Sequence, residues 1–129
     1  MKYGAFGEKS FELAQKYWPG PLTIIIPRTA LLPLYINRGV ATVGIRCPDH
    51  ASTQQLLQNF GGPLITTSAN RTTEPQAYCV EDFMKGREDG ELPDAIIDEG
   101  RIPEIAPSTI VEVVGNEMKI VREGPIVIS

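Results

Sequence analysis

The chain has 129 residues, 42% of them hydrophobic and 22% charged, the make-up of one globular domain (1–129) with a modest core. Its net charge of −4 gives no support for wrapping nucleic acid by bulk charge. No apolar run reaches the roughly 18 residues that a membrane span needs, and Met1-Lys-Tyr-Gly-Ala-Phe-Gly7 lacks the apolar core of a signal peptide, so the expected location is cytoplasmic, away from any membrane.

In chain order, Ser10 to Tyr17 predicts a short helix with Phe11, Ala14 and Trp18 on one face, stopped by Pro19-Gly20-Pro21. Leu22 to Ile26 predicts a strand buried on both faces, which Pro27 ends. Thr29 to Ile36 predicts a weak helix interrupted by Pro33, and Val40 to Arg46 the next strand. Pro48-Asp49 turns the chain into a helix with Asp49 or Ser52 as cap and Leu56, Leu57 and Phe60 facing inward.

The organising stretch is Pro63 to Arg71, Pro-Leu-Ile-Thr-Thr-Ser-Ala-Asn-Arg. Leu64 and Ile65 predict a buried strand that opens into a loop of hydroxyl, amide and guanidinium groups, the kind of sheet end where open α/β sheets bind small ligands. A strand followed by a polar turn that bonds its own backbone is the plain alternative. Val80 to Lys85 predicts a helix with a core stripe of Val80, Phe83 and Met84, and Ala95 to Asp98 a short strand before the turn Glu99-Gly100. Thr109 to Val114 and Met118 to Arg122 alternate like strands on either side of Gly115-Asn116, a two-residue hairpin signal. These elements give an α/β or α+β sheet domain. Residues 81–104 carry nine acidic against three basic side chains, which reads as a solvated face.

Nucleophilic, metal and phosphate-loop chemistry have no support. Ser68 lacks a Gly-x-Ser-x-Gly elbow, no Gly-x-x-x-x-Gly-Lys loop occurs, and Cys47, Cys79 and the single His50 cannot complete a coordination shell. What remains is a binding constellation. Thr42 and Arg46 lie on one strand, Thr66 and Ser68 on the second, Ser108 and Thr109 at the start of a third, and Arg122 at the end of a fourth. Guanidinium forks suit carboxylate and phosphate, each such bond contributing about 1.5–3 kcal/mol.

Five blocks in this order, Trp18-Pro-Gly-Pro-Leu-Thr23, Val43-Gly-Ile-Arg-Cys-Pro-Asp49, Pro63 to Arg71, Pro107-Ser-Thr-Ile-Val111 and Ile120-Val-Arg-Glu-Gly124, resemble the YrdC-like family, the threonylcarbamoyl-adenylate synthases. The resemblance implies a twisted mixed sheet with flanking helices. It also implies a nucleotidyltransferase that joins L-threonine, bicarbonate and ATP into threonylcarbamoyl-AMP and pyrophosphate, for threonylcarbamoyladenosine on transfer RNA, alongside tRNA-modification partner proteins. Arg46, Thr66 and Ser108 then resemble the threonine side of the cleft. Thr42, Ser68, Gln76 and Arg122 resemble the nucleotide side, with Asn70 holding the loop. Magnesium is expected to be held by the phosphates and water, with no catalytic side chain and no metal ligand supplied by the chain. On this reading Arg122→Ala is expected to weaken ATP binding with little loss of folding stability.

The chain departs from the family pattern in two places. The small Ser-Gly pair usual after Ser-Ala-Asn is replaced by Arg71-Thr-Thr-Glu-Pro-Gln76. The family's N-terminal Lys-x-Arg motif has no match in Lys2-Tyr-Gly or Lys9-Ser-Phe, so the expectation is a partial domain, incomplete at its N-terminus and inactive by itself. Its open sheet edge beside Leu22 to Ile26 is expected to invite self-association. The alternative is a non-catalytic nucleotide- or RNA-binding YrdC-like module, for which direct RNA contact is not legible in the sequence.

Overall fold

Four strands form one mixed sheet in the computed structural model, which describes residues 2–128. Strand β1 (Leu22–Pro27) is central, flanked by antiparallel β2 (Thr42–Arg46) and parallel β3 (Thr109–Val114), and β4 (Glu117–Arg122) closes the order β2-β1-β3-β4. The chain divides into two compact units, residues 2–62 with 106–128 and residues 63–105. The sheet belongs to the first.

Strand β1 is buried on one face and not on both as expected, and alternation along it explains which. Leu22, Ile24 and Ile26 are fully buried and join Val111 and Val113 of β3, while Thr23 and Ile25 between them point to the opposite, less covered face. Helix α1 (Glu8–Tyr17) lies on the buried face, its first turn closed by Ser10, whose hydroxyl donates to the Gly7 carbonyl and accepts from the Gly7 N–H. The helix buries Ser10 and Leu13 and half-buries Ala14 and Tyr17, an i, i+3, i+4, i+7 stripe. Of the expected face, Ala14 and Trp18 pack against the core, whereas Phe11 is exposed.

The Pro19-Gly20-Pro21 break ends α1 as expected. The Trp18–Pro19 peptide is cis, the indole Nε1 donates to the Leu22 carbonyl at 2.8 Å, and the Gly20 N–H donates to the Cys47 carbonyl at 2.8 Å. A Cβ on Gly20 would stand 2.4 Å from the Tyr17 carbonyl oxygen, so only glycine fits there. The predicted hairpin is present with Val114 opposite Glu117, and Gly115 takes the positive φ of 61° that the turn requires.

Other expectations fail for identifiable reasons. Thr29 to Ile36 is a series of turns, because Pro33 interrupts the helical ladder and the Arg28 guanidinium takes the loop carbonyls instead, donating to Leu32, Pro33 and Ile36 at 2.8–2.9 Å. Helix α2 (Ala51–Phe60) has His50 rather than Asp49 or Ser52 at its N-cap position, with no side-chain capping bond, and buries no residue; Leu56 and Phe60 are exposed. The run Leu22 to Ile26 is paired on both sides, so the strands with an unpaired edge in this sheet are β2 and β4, not β1.

In the second unit neither Leu64-Ile65 nor Ala95 to Asp98 is a strand. Both lack a ladder partner, and Ile65 and Ile97 are 73% and 65% exposed. The turn after Asp98 is present, with the Gly100 N–H donating to the Asp98 carboxylate at 2.8 Å. Helix α3 (Val80–Met84) matches the expected span, but buries none of its stripe.

Candidate functional site

The register gathers four polar-bearing positions at one end of the sheet. Arg46 pairs with Thr23, Thr23 with Ile110, and Ile110 with Arg122, so the C-terminal ends of β2 and β4 meet the N-terminal ends of β1 and β3. Directly paired residues share a face, and Ser108, two positions before Ile110, projects the same way. Thus Arg46, Thr23, Ser108 and Arg122 lie together on the face that α1 leaves uncovered.

Arg122 reaches that face because of an irregularity. From Val114↔Glu117 to Val111↔Ile120 the β3–β4 register is regular, and its continuation would set Arg122 opposite Thr109, on the buried face. A shift between Ile110 and Val111 sets Arg122 opposite Ile110 instead, with Val121 as the extra residue. Nothing in Ile120-Val-Arg-Glu-Gly124 announces this bulge.

Once there, Arg122 binds Ser108. Its Nε and Nη2 donate to the Ser108 carbonyl at 3.0 and 2.7 Å, and Nη2 donates also to Ser108 Oγ at 3.1 Å. Three of five guanidinium N–H groups are thereby used, and those of Nη1 remain. Ser108 is 5% exposed, and its Oγ lies 2.9 Å from Thr23 Oγ1. Buried Thr109 exchanges hydrogen bonds with the Ile126 backbone through its hydroxyl, at 2.9 and 3.0 Å. Gly124 makes this packing feasible, since a Cβ there would lie 2.5 Å from the Thr109 nitrogen and 2.6 Å from the Pro107 oxygen. These bonds to a buried serine make Arg122→Ala expected to cost folding stability as well as ligand binding.

Arg46 is exposed and has no side-chain hydrogen bond or ion pair among the described residues, which leaves its whole fork available. Thr42, at the other end of β2, shares Arg46's face but stands roughly 13 Å away at about 3.3 Å per residue. Thr23 closes the Trp18 to Thr23 block, but the sequence gives it no place in the polar cluster; its pairing with Arg46 and its contact with Ser108 do.

The remaining candidates belong to the second unit. Thr66 and Ser68 are exposed, with no side-chain hydrogen bond among the described residues. Asn70 donates from Nδ2 to the Glu74 carbonyl at 2.8 Å, while its buried Oδ1 has no donor. Gln76 Oε1 accepts from the Tyr78 hydroxyl at 3.3 Å. Arg71 is held inside the unit: it forms a fork with Glu91, pairs with Glu74 at 3.2 Å and donates to the Gly86 carbonyl at 3.0 Å. The Glu91 carboxylate, and after it Glu74, raises the Arg71 pKa, and Arg71 together with the Glu88 N–H pulls Glu91 below its ordinary value. Among the described residues no three His, Cys, Asp or Glu side chains are grouped to hold a metal ion, and no helix is long and apolar enough to cross a membrane.

Comparison with known proteins bears on the family and the fold. The Sua5/YciO/YrdC family profile, described as telomere recombination, matches residues 1–124. A threonylcarbamoyl-AMP synthase of Pyrococcus abyssi is 30% identical over 121 residues, 91% of this chain and 34% of that protein. One of Mus musculus is 43% identical over 73 residues, 57% of this chain and 26% of that protein. The chain thus spans only about a quarter to a third of these relatives' length. Among solved structures, P. abyssi Sua5 complexed with L-threonine superposes with a TM-score of 0.83 at 27% identity, covering 95% of this chain and 36% of that one. E. coli YciO gives 0.80 at 27% identity, covering 95% and 59%. The mixed sheet, the blocks along it and these matches agree: the chain belongs to the Sua5/YciO/YrdC family.

Proposed function

We propose that this chain provides part of an L-threonylcarbamoyladenylate synthase site. The observation that carries the reading is the sheet-end cluster of Arg46, Thr23, Ser108 and Arg122 in a chain whose relatives are named threonylcarbamoyl-AMP synthases. In the reaction, the threonine amine attacks bicarbonate to give a carbamate and water. A carbamate oxygen then attacks the α-phosphate of ATP, and pyrophosphate leaves. Such a reaction asks the protein chiefly to align anions and offset their repulsion, which guanidinium and hydroxyl groups do.

Arg46, Thr66 and Ser108 take the threonine side. Thr42, Ser68, Gln76 and Arg122 take the nucleotide side, and Asn70, through its bond to the Glu74 carbonyl, holds the loop. Arg122 touches Ser108 directly, so the two sides meet at that pair. Magnesium is proposed as a companion of the triphosphate, coordinated by phosphate oxygens and water. The product serves the threonylcarbamoyladenosine modification of transfer RNA in the cytoplasm.

The test supplies the full-length protein with ATP, L-threonine, bicarbonate and magnesium and follows threonylcarbamoyl-AMP by mass spectrometry. Formation that needs all three substrates and falls at least tenfold in Arg46→Ala supports the reading. Nucleotide binding without product would favour a non-catalytic binding module.

A further inference from the structure

We propose that Thr23, rather than Ser108, presents the outward hydroxyl of the sheet-end cluster to an anionic oxygen of the substrate, the carboxylate of an amino acid, as the last member of a hydrogen-bond chain from Arg122 through Ser108. This rests on the reaction proposed above. Ser108 Oγ has two acceptor sites and one hydrogen, and one acceptor site is taken by Arg122 Nη2 at 3.1 Å. The 2.9 Å contact with Thr23 Oγ1 runs in one of two directions. If Thr23 donated, the Ser108 hydrogen would be left over in a residue only 5% exposed, where an unmet donor is costly. If Ser108 donates, the leftover hydrogen sits on half-buried Thr23, on the open face and opposite Arg46. The second direction also has each bond strengthen the next, since an oxygen that accepts from a guanidinium is a better donor. Direct antiparallel partners have Cβ atoms about 5 Å apart, so one carboxylate can accept from both Thr23 and Arg46. Thr23 is therefore a substrate-contacting residue, and Ser108 is a positioning residue that acts through it.

The test is calorimetric titration of the full-length protein with L-threonine, and chemical-shift titration with acetate as a bare carboxylate. Thr23→Val weakens both by about tenfold, the loss of one hydrogen bond to a charged acceptor, whereas Thr23→Ser stays within about twofold of wild type. Ser108→Ala added to Thr23→Val costs no more than about a further twofold, because its effect passes through Thr23. Thr23→Ala replaces Thr23→Val if the latter does not fold. Wild-type affinity in Thr23→Val, or full additivity in the double variant, overturns the relay and returns the contact to Ser108. Acetate binding that depends on Thr23, without threonine binding, keeps the relay and removes the synthase reading. Threonine binding indifferent to Thr23 does the reverse, and binding of neither ligand overturns both.

Discussion

The sheet unit and the 63–105 unit are ordered by different physics. In the first, seven apolar side chains from Leu13 to Val113 are buried, and the polar cluster at the sheet end is positioned by strand register and one bulge. In the second, no described residue is buried. Its order comes from guanidinium groups: Arg71 on Glu74 and Glu91, Arg101 on Asp82 at 3.0 Å, and Arg87 bonded to the Phe83 carbonyl at 2.6 Å with its head over the Phe83 ring. Hydrophobic burial fixes a face and tolerates salt, whereas exposed ion pairs are weakened by salt and by protonation. The two units should therefore fail under different perturbations.

The largest separation is expected from Ile24→Ala. Emptying a fully buried site in the central strand should cost about 2–5 kcal/mol of sheet stability, read as a lowered denaturation midpoint, with hydrogen exchange of 71–91 unchanged at low denaturant. Equal loosening of both units would show that they form one cooperative block. Next comes Gly124→Ala, whose Cβ meets the backbone of Pro107 to Thr109. Overpacking there should cost about 1–3 kcal/mol and disturb the Ser108 amide more than those of β2. An undisturbed Ser108 amide would mean that the tail after β4 yields freely.

The smallest effect on global stability, and the most local, is acid. Glu91 and Asp82 are held below their ordinary values, Glu91 chiefly by Arg71, and Asp82 chiefly by the Cys79 thiol and then by the Tyr78 N–H and Arg101. A depressed carboxylate stabilises the folded form above its unfolded pKa, and that stabilisation is lost as pH falls through the folded one. Amide exchange in 71–91 should therefore rise below the ordinary glutamate value of 4.5, while the core of β1 and β3 stays protected. Arg71→Gln should reproduce that local loosening at neutral pH. Loosening of the sheet first, or none in Arg71→Gln, would break the contrast.

Legibility in the sequence follows the same divide. A continuous apolar run located β1, though burial takes only one of its faces, and alternation with the Gly115-Asn116 signal located β3 and β4. Arg46, Ser108 and Arg122 were legible as polar groups at strand ends. The β4 bulge was not, since an extra residue leaves no mark on composition, and Thr23, although part of the Trp18 to Thr23 block, carried no sign of its contact with Ser108. Leu64-Ile65 misled because apolar, β-prone residues specify a strand only when a ladder neighbour exists. Arg71 reads as the guanidinium of the ligand loop, and is instead committed to Glu74 and Glu91.

The central claim, that the amino ends of β1 and β3 form the substrate seat, is tested most directly by titrating the isotope-labelled full-length protein with L-threonine and mapping amide shifts. The account predicts the largest shifts at Thr23, Arg46, Ser108 and Arg122, reduced throughout in Arg46→Ala. Saturable shifts confined to the Arg28-clasped turns of 29–40, with the sheet end silent, would contradict it.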